Sequence, residues 1–492
     1  MNYRSATLPI STVLRSIQQI YFPPFSLPYR LDPTKLGLYS QMPASSDMQE
    51  TKLVDLLVHA QWIIPVHPVN TAIANHAIAI HEGNILDVLP SEQAQSKYTG
   101  KQTLHLSTHA LLPGLINAHG HAAMSLFRGL ADDLPLMDWL NDHIWPAEGK
   151  WVSEDFVHDG TELAIAEMLR GGTTCYSDMY FFPDVAAKVA EQVGMRAQYV
   201  CPVLDFPTVW GSGPDEYLAK ALDLAISYAD SSLISVGLGP HAPYTVADKP
   251  LENIRELSTE YDIPVQIHLH ETAHEVEEAL KESTERPIAR LKRLGLISAN
   301  IPLQCVHMTA LNDQDIADIE SSGASVIHCP ESNLKLASGF CPTQRLIDAK
   351  INVALGTDGA ASNNDLDLFG EMRTAALIGK AVANDASAID ARTALEMATI
   401  NGARALGLDD ICGSLEVGKA ADMIAVNLAC LNTQPSYDPI SDIVYSLASN
   451  QVDYVWVAGI PQLTNGKLVK LDEQTLIDKA ISWSAKISKS DK

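Results

Sequence analysis

The chain has 492 residues, 46% of them hydrophobic and 19% charged, enough for a large buried core and for a barrel of roughly 250 residues beside a second domain. A net charge of −26 repels phosphate backbones and anionic lipid, which argues against nucleic acid or a membrane as partner, and no run reaches the ~18 apolar residues of a membrane span. Seven scattered cysteines without a C-x-x-C pair exclude a disulfide framework and a zinc finger, and point to reduced thiols in a cytoplasmic compartment.

Residues 1–50 differ from the rest. Arg4, Arg15, Arg30 and Lys35 face one acid, Asp32, over the first 46 residues, and Pro23, Pro24, Pro28 and Pro33 interrupt any helix. This reads as a poorly ordered extension, a targeting segment without a compact apolar region, or the product of a start placed upstream of Met42 or Met48.

Residues 51–110 hold short alternating stretches punctuated at Glu82-Gly83-Asn84, the pattern of β-hairpins. Similar stretches return over 411–475, so both ends are expected to build one small β-sandwich, with a helix or tail over 476–492. Between them, residues 111–410 alternate apolar, β-branched runs with helical patterns: Leu111–Ala118, Thr173–Asp178, Arg196–Leu204, Ile234–Gly239, Val265–Leu269, Leu303–His307, Ala324–Cys329 and Val353–Thr357. Eight such runs predict a closed, TIM-like (β/α)8 barrel. Helices are predicted at Ser153–Leu169, with Ser153 as N-cap and Gly171-Gly172 as stop, and at Asp215–Tyr228, Asp365–Val382 and Ala386–Leu406.

Catalytic groups of such a barrel stand at the carboxyl ends of its strands. Those ends carry His119 and His121, Asp178, His241, His268 and His270, His307, His328 and Asp358. A bare H-x-H is as readily a structural pair, but a rim crowded with histidine favours a metal site. Three imidazoles and a carboxylate suit a divalent ion such as zinc or iron that activates water. His268 and His270 share a strand face, so spacing leaves open which of them is the ligand. Asp358 suits both coordination and proton acceptance; Glu271 is the best-placed proton donor. His143 and His328 fit structural roles, Asp178 a brace for the first loop, and Arg128, Asp132 and Asp133 a loop ion-pair network. Trp139, Trp145 and Trp151 read as packing or as an apolar wall.

LLPGLINAHGHAAMSLFRGLADDLPLMDWLNDHIWPAE from Leu111, HLHE at 268–271, VHMT around His307, HCPESNLKLASG from His328 and GTDGAASNN from Gly356 together resemble the amidohydrolase superfamily, and within it the 5-methylthioadenosine/S-adenosylhomocysteine deaminases. The resemblance spans about Leu53 to Leu471. It implies His119, His121, His268 and Asp358 as ligands of one divalent metal, zinc or iron, with Glu271 as proton shuttle and His307 orienting the attacking water. Glu148, His241 and Ser362 would contact an adenine nucleoside. The implied reaction adds water to C6 of adenine and releases ammonia. The fourth run ends in His241 rather than a lysine that could be carboxylated to bridge two metals, which favours a single-metal site.

One departure bears on the substrate. S-adenosylhomocysteine carries a carboxylate suited to an arginine fork, yet no arginine lies between Arg196 and Arg255, and Leu233 stands where some relatives carry one. Lys220, Lys249 or Arg128 could substitute. The expected preference is for methylthioadenosine or adenosine. The alternatives are hydrolysis of another nitrogen heterocycle, by guanine or cytosine deamination or triazine dechlorination, and a non-enzymatic scaffold. A homo-oligomer is compatible with the sequence but not indicated by it.

Overall fold

The computed structural model describes residues 51–489; the expectations for 1–50 lie outside the described residues. In chain order the strands are β1 (Lys52–Ile63), β2 (Ile73–His81), β3 (Asn84–Pro90), β4 (Tyr98–Pro113), β5 (Leu115–Asn117), β6 (Thr173–Asp178), β7 (Arg196–Val203) and β8 (Ile234–Pro240). They continue with β9 (Val265–Leu269), β10 (Leu303–His307), β11 (Ser325–His328), β12 (Val353–Leu355), β13 (Met423–Asn427), β14 (Val452–Val457), β15 (Ile460–Thr464) and β16 (Lys467–Leu468).

Strands β5 to β12 lie side by side in chain order, and every paired neighbour is parallel. Continuous apolar sequence is what strands buried on both faces require, and β7 and β9 are buried at every residue. The last strand returns to the first where Ala118 N donates to Leu355 O at 2.9 Å and Gly120 bridges Asp358. This is the expected barrel.

Its first strand is shorter than predicted. Leu111 and Leu112 belong to β4, and only Leu115–Asn117 enter the barrel. The chain changes sheets at Gly114, where a Cβ would fall 2.0 Å from Thr174 Oγ1, so only a residue without a side chain fits the crossing. The helix at Glu154–Arg170 forms as read, with the Ser153 hydroxyl accepting from Phe156 N and Gly171 at its end. The predicted helix over 386–406 is instead two, Ala391–Met397 and Ile400–Ala405, broken at Thr399 (φ −134, ψ −97). The break frees Ala398 O to accept from Ile116 N at 2.9 Å, so docking onto β5 overrides local helix propensity.

The small domain is built from both ends of the chain, in strand order β16-β15-β14-β13-β4-β1-β2-β3. All eight strands are hydrogen-bonded into one mixed sheet whose two wings share a core: Val58, Ile78 and Ile80 meet Met423, Ala425 and Trp456. A terminal helix, Glu473–Lys489, lies on Glu154–Arg170; its Trp483 ring meets Phe156 edge-on at 5.2 Å and donates to Asp159 at 2.9 Å. No helix among the described residues is long and apolar enough to cross a membrane.

Candidate active site

Strand ends and the loops just past them bring four donors together. His119 and His121 follow β5, His268 lies in β9, and Asp358 follows β12. His119 Nε2 is 3.2 Å from His268 Nε2; Asp358 Oδ1 is 3.2 Å from His121 Nε2 and 3.6 Å from His119 Nε2.

The outer nitrogen of each ring is already committed. His119 Nδ1 donates to Gln266 Oε1 at 2.7 Å, His121 Nδ1 to Met179 O at 2.6 Å, and His268 Nδ1 to His241 O at 2.7 Å. Those acceptors keep a proton on each Nδ1, so Nε2 is the atom that each of the three rings turns toward the others and toward a carboxylate. Nε2 atoms 3.2 Å apart beside a carboxylate need a positive charge among them, a proton or a metal ion. The donor set therefore fits a divalent ion of borderline softness with an open coordination position.

Asp358 stands in the left-handed region, φ +62, and is heavily supported. Ser332 Oγ donates to its Oδ2 at 2.6 Å, Ser362 Oγ to the same oxygen at 2.8 Å, and Gly359 N to Oδ1 at 2.8 Å. Burial opposes its charge, but the facing histidines hold its carboxyl well below the usual carboxylate range. Ser362, expected among the nucleoside contacts, is thus spent behind Asp358 and is absent from the cavity lining.

His270 is a different case from His268. Its ring turns away, Nδ1 donating to Ala310 O at 3.0 Å and Nε2 accepting from Ile288 N at 3.2 Å. His307 Nδ1 meets Asn333 Oδ1 at 2.9 Å, and its Nε2 faces Glu271 at 3.9 Å. Asp178 accepts from Ala122 N at 2.7 Å, as a brace for the loop that carries the first two histidines. His328 is buried and lines no part of the cavity, and His143 is exposed.

A cavity of about 200 Å³ lies against this cluster. His121, His268, His307, Asp358 and Glu271 form its polar end, Glu148, Tyr180 and His241 its flank, and Trp139, Leu140, Ile144, Trp145, Phe206 and Val209 its apolar wall. Burial and the nearby charge of Asp358 push the Glu271 carboxyl up to about 8; burial pushes Glu148 up to about 7. Burial and the neighbouring imidazoles press His241 down to about 4. A protonated carboxyl facing a metal-ligand cluster across a small apolar chamber is the equipment of acid-assisted hydrolysis.

Among the described residues, no arginine or lysine lines the cavity. Arg128 pairs with Glu167, Lys220 with Glu216 at 2.7 Å and Lys249 with Glu252 at 3.5 Å. Leu233 precedes β8, at the end opposite His241. Asp132 pairs with Lys335 at 2.7 Å, so Arg128 and Asp132 each take a partner from a neighbouring helix and the expected ion-pair network within the loop does not form.

Sequence reasoning missed Gln266, Asn333, Ser332 and Tyr180. Gln266 was legible, since it precedes His268 by two in a strand and so shares its face. Ser332 and Asn333 lie in Pro330–Lys335, a helix too short for its faces to show as a repeat, and Tyr180 sits on the loop after β6, where no periodicity marks direction.

The amidohydrolase family pattern matches residues 110–469. The 5-methylthioadenosine/S-adenosylhomocysteine deaminase of Saccharophagus degradans is 53% identical over 433 residues, covering 88% of this chain and 97% of its own. The 5′-deoxyadenosine deaminase of Methanococcus vannielii is 40% identical over 370 residues, covering 75% of this chain and 86% of its own. The crystal structure of an adenosine deaminase from Xanthomonas campestris with bound zinc superposes with a TM-score of 0.88 at 49% identity, over 89% of this chain and all of that one. With the pattern running through the whole barrel and strands β13 to β16 of the small domain, the chain belongs to the amidohydrolase family.

Proposed function

We propose that the chain is a zinc-dependent hydrolytic deaminase of adenine nucleosides, with 5′-methylthioadenosine as preferred substrate, yielding the hypoxanthine nucleoside and ammonia. The observation that carries this reading is the juxtaposition of a buried, protonated Glu271 with the donors of His121, His268 and Asp358 in one apolar-walled cavity. The deaminase names of the Saccharophagus and Methanococcus relatives and the zinc of the Xanthomonas protein support it.

His119, His121, His268 and Asp358 would hold the ion, which when bound acts as a Lewis acid and draws the pKa of water from 15.7 toward about 7. Asp358 takes the proton of the attacking water, and His307 orients that water. Glu271 protonates N1, so the electrons displaced at C6 gather on a neutralised ring nitrogen. Asp358 then gives its proton to the leaving amino group, and the new C6 hydroxyl returns one to Glu271, which restores both carboxyls. Glu148 and His241, on the cavity flank, contact the nucleoside, while Ser362 keeps Asp358 aimed.

The apolar wall of Trp139, Trp145, Phe206 and Val209 suits a methylthio group, and without a cation it offers no partner to a carboxylate tail. A cytoplasmic setting belongs to the same reading, supported by seven free cysteines, six of them buried.

The test is ultraviolet absorbance of zinc-loaded protein with 5′-methylthioadenosine, adenosine, S-adenosylhomocysteine and guanine. Conversion to the hypoxanthine spectrum, lost in Glu271→Gln, is expected. No change with any adenine nucleoside would overturn the substrate assignment.

A further inference from the structure

The barrel closes where its first strand meets its last, and that seam divides the donor set: His119 and His121 on one side, Asp358 on the other. Backbone pairing there is sparse. It rests on Ala118 N to Leu355 O at 2.9 Å and Asp358 N to His119 O at 3.1 Å, beside one isolated bridge. By contrast, β9 and β10 are in register over five residue pairs.

Two buried side chains span the seam. Asn117 ends β5, two residues before His119; Thr357 directly precedes Asp358. Asn117 Nδ2 donates to Thr357 Oγ1 at 2.7 Å, and Thr357 N donates back to Asn117 Oδ1 at 2.9 Å. Thr357 Oγ1 then donates to Asp358 O at 3.0 Å. Asn117 is 2% exposed and Thr357 0%, and neither lines the cavity. The bonds end on the peptide of a non-glycine residue at φ +62, a sparsely populated conformation that persists only when its surroundings over-determine it.

We propose that Asn117 and Thr357 are positioning residues, a reciprocal latch that sets the separation between the imidazole pair and the Asp358 carboxylate and thereby the affinity for the metal. This rests on the metal-dependent reading above. Neither residue touches the ligand atoms; each acts through the backbone that carries them.

The experiment measures zinc affinity of the full chain by chelator competition, alongside the unfolding midpoint of the metal-free protein, for wild type, Thr357→Val, Thr357→Ser and Asn117→Leu. Thr357→Val keeps volume and shape and removes only the hydroxyl, so it carries the test where Asn117→Leu does not fold. Loss of outer support to a metal site weakens binding by ~10- to 100-fold, and that is expected for Thr357→Val and Asn117→Leu. Thr357→Ser, which restores the hydroxyl, should return affinity to within about threefold of wild type on the same basis. The double variant should be little worse than either single one, because both break one latch. Wild-type affinity in folded Thr357→Val overturns the proposal, as does a loss that merely tracks the unfolding midpoint. Failure of wild-type protein to bind zinc would instead overturn the metal-dependent reading itself.

Discussion

His119 Nδ1 donates to Gln266 Oε1 at 2.7 Å inside the barrel, and Gln266 passes the polarity inward. Its amide donates to Gln304 Oε1 at 2.6 Å, Gln304 donates to Gln198 Oε1 at 2.9 Å, and Gln198 donates to Leu406 O at 3.2 Å. A glutamine is thus orientated by a second and a third, and His119 has one tautomer open to it. Gln266→Leu should weaken zinc binding by ~10- to 100-fold in a chelator competition, whereas Gln266→Glu, which keeps the acceptor, should lose far less.

Burial lifts Glu271 to about 8, so its acid form predominates below that pH and is lost above it. If Glu271 protonates N1, kcat/KM for 5′-methylthioadenosine should fall about tenfold per pH unit on the alkaline side of this value. Glu271→Gln should abolish turnover while zinc affinity survives, because the side chain is not among the ligand donors. A pH-rate profile with zinc titration of the variant checks both.

The tail preference follows from an apolar wall with no lysine or arginine among the described residues that line the cavity. kcat/KM for 5′-methylthioadenosine should exceed that for S-adenosylhomocysteine by more than about tenfold, since a buried carboxylate without a partner costs several kcal/mol. Val209→Arg, at the partly exposed edge of the wall, should narrow the ratio. Equal values for wild-type protein would contradict the preference.

Glu371 is fully buried, and burial raises its carboxyl well above the ordinary range. The unfolded chain loses that proton near pH 4.3 while the native state keeps it, so the stability Glu371 contributes is full below that value and lost as pH rises. Metal-free protein should show a falling unfolding midpoint between about pH 5 and 8, and Glu371→Gln should flatten that slope.

The terminal helix offers a stability test apart from the chemistry. Trp483 is 8% exposed, packs edge-on against Phe156, and Phe156 meets Phe127 at 4.7 Å in the turn after His121. Trp483→Ala should cost about 3–5 kcal/mol in urea unfolding, the usual loss for a large buried ring.

Much of the scaffold was legible because barrel strands buried on both faces must be apolar throughout. Thr173–Asp178, Val265–Leu269 and Leu303–His307 occupy the residues predicted. The rim donors were legible for a related reason: a polar residue one to three positions past such a run stands at the barrel's carboxyl rim, whichever way its side chain then turns. The helix break at Thr399 was not legible, because it answers to Ile116, far away in sequence.

By itself the sequence determined the barrel and placed His119, His121 and Asp358 at its carboxyl rim, since burial and alternation are local properties of a strand. Spacing did not separate His268 from His270; the family resemblance implied His268, and the tertiary structure supplies the physical reason. Alternation puts both on one face, but β9 ends at Leu269 and His270 enters the left-handed region at φ +51, which swings its ring toward Ala310 O. The same holds for Ser362 and for the latch of Asn117 and Thr357: where a strand stops, direction is set by backbone torsions and by partners remote in sequence, and no repeat of residue types records it.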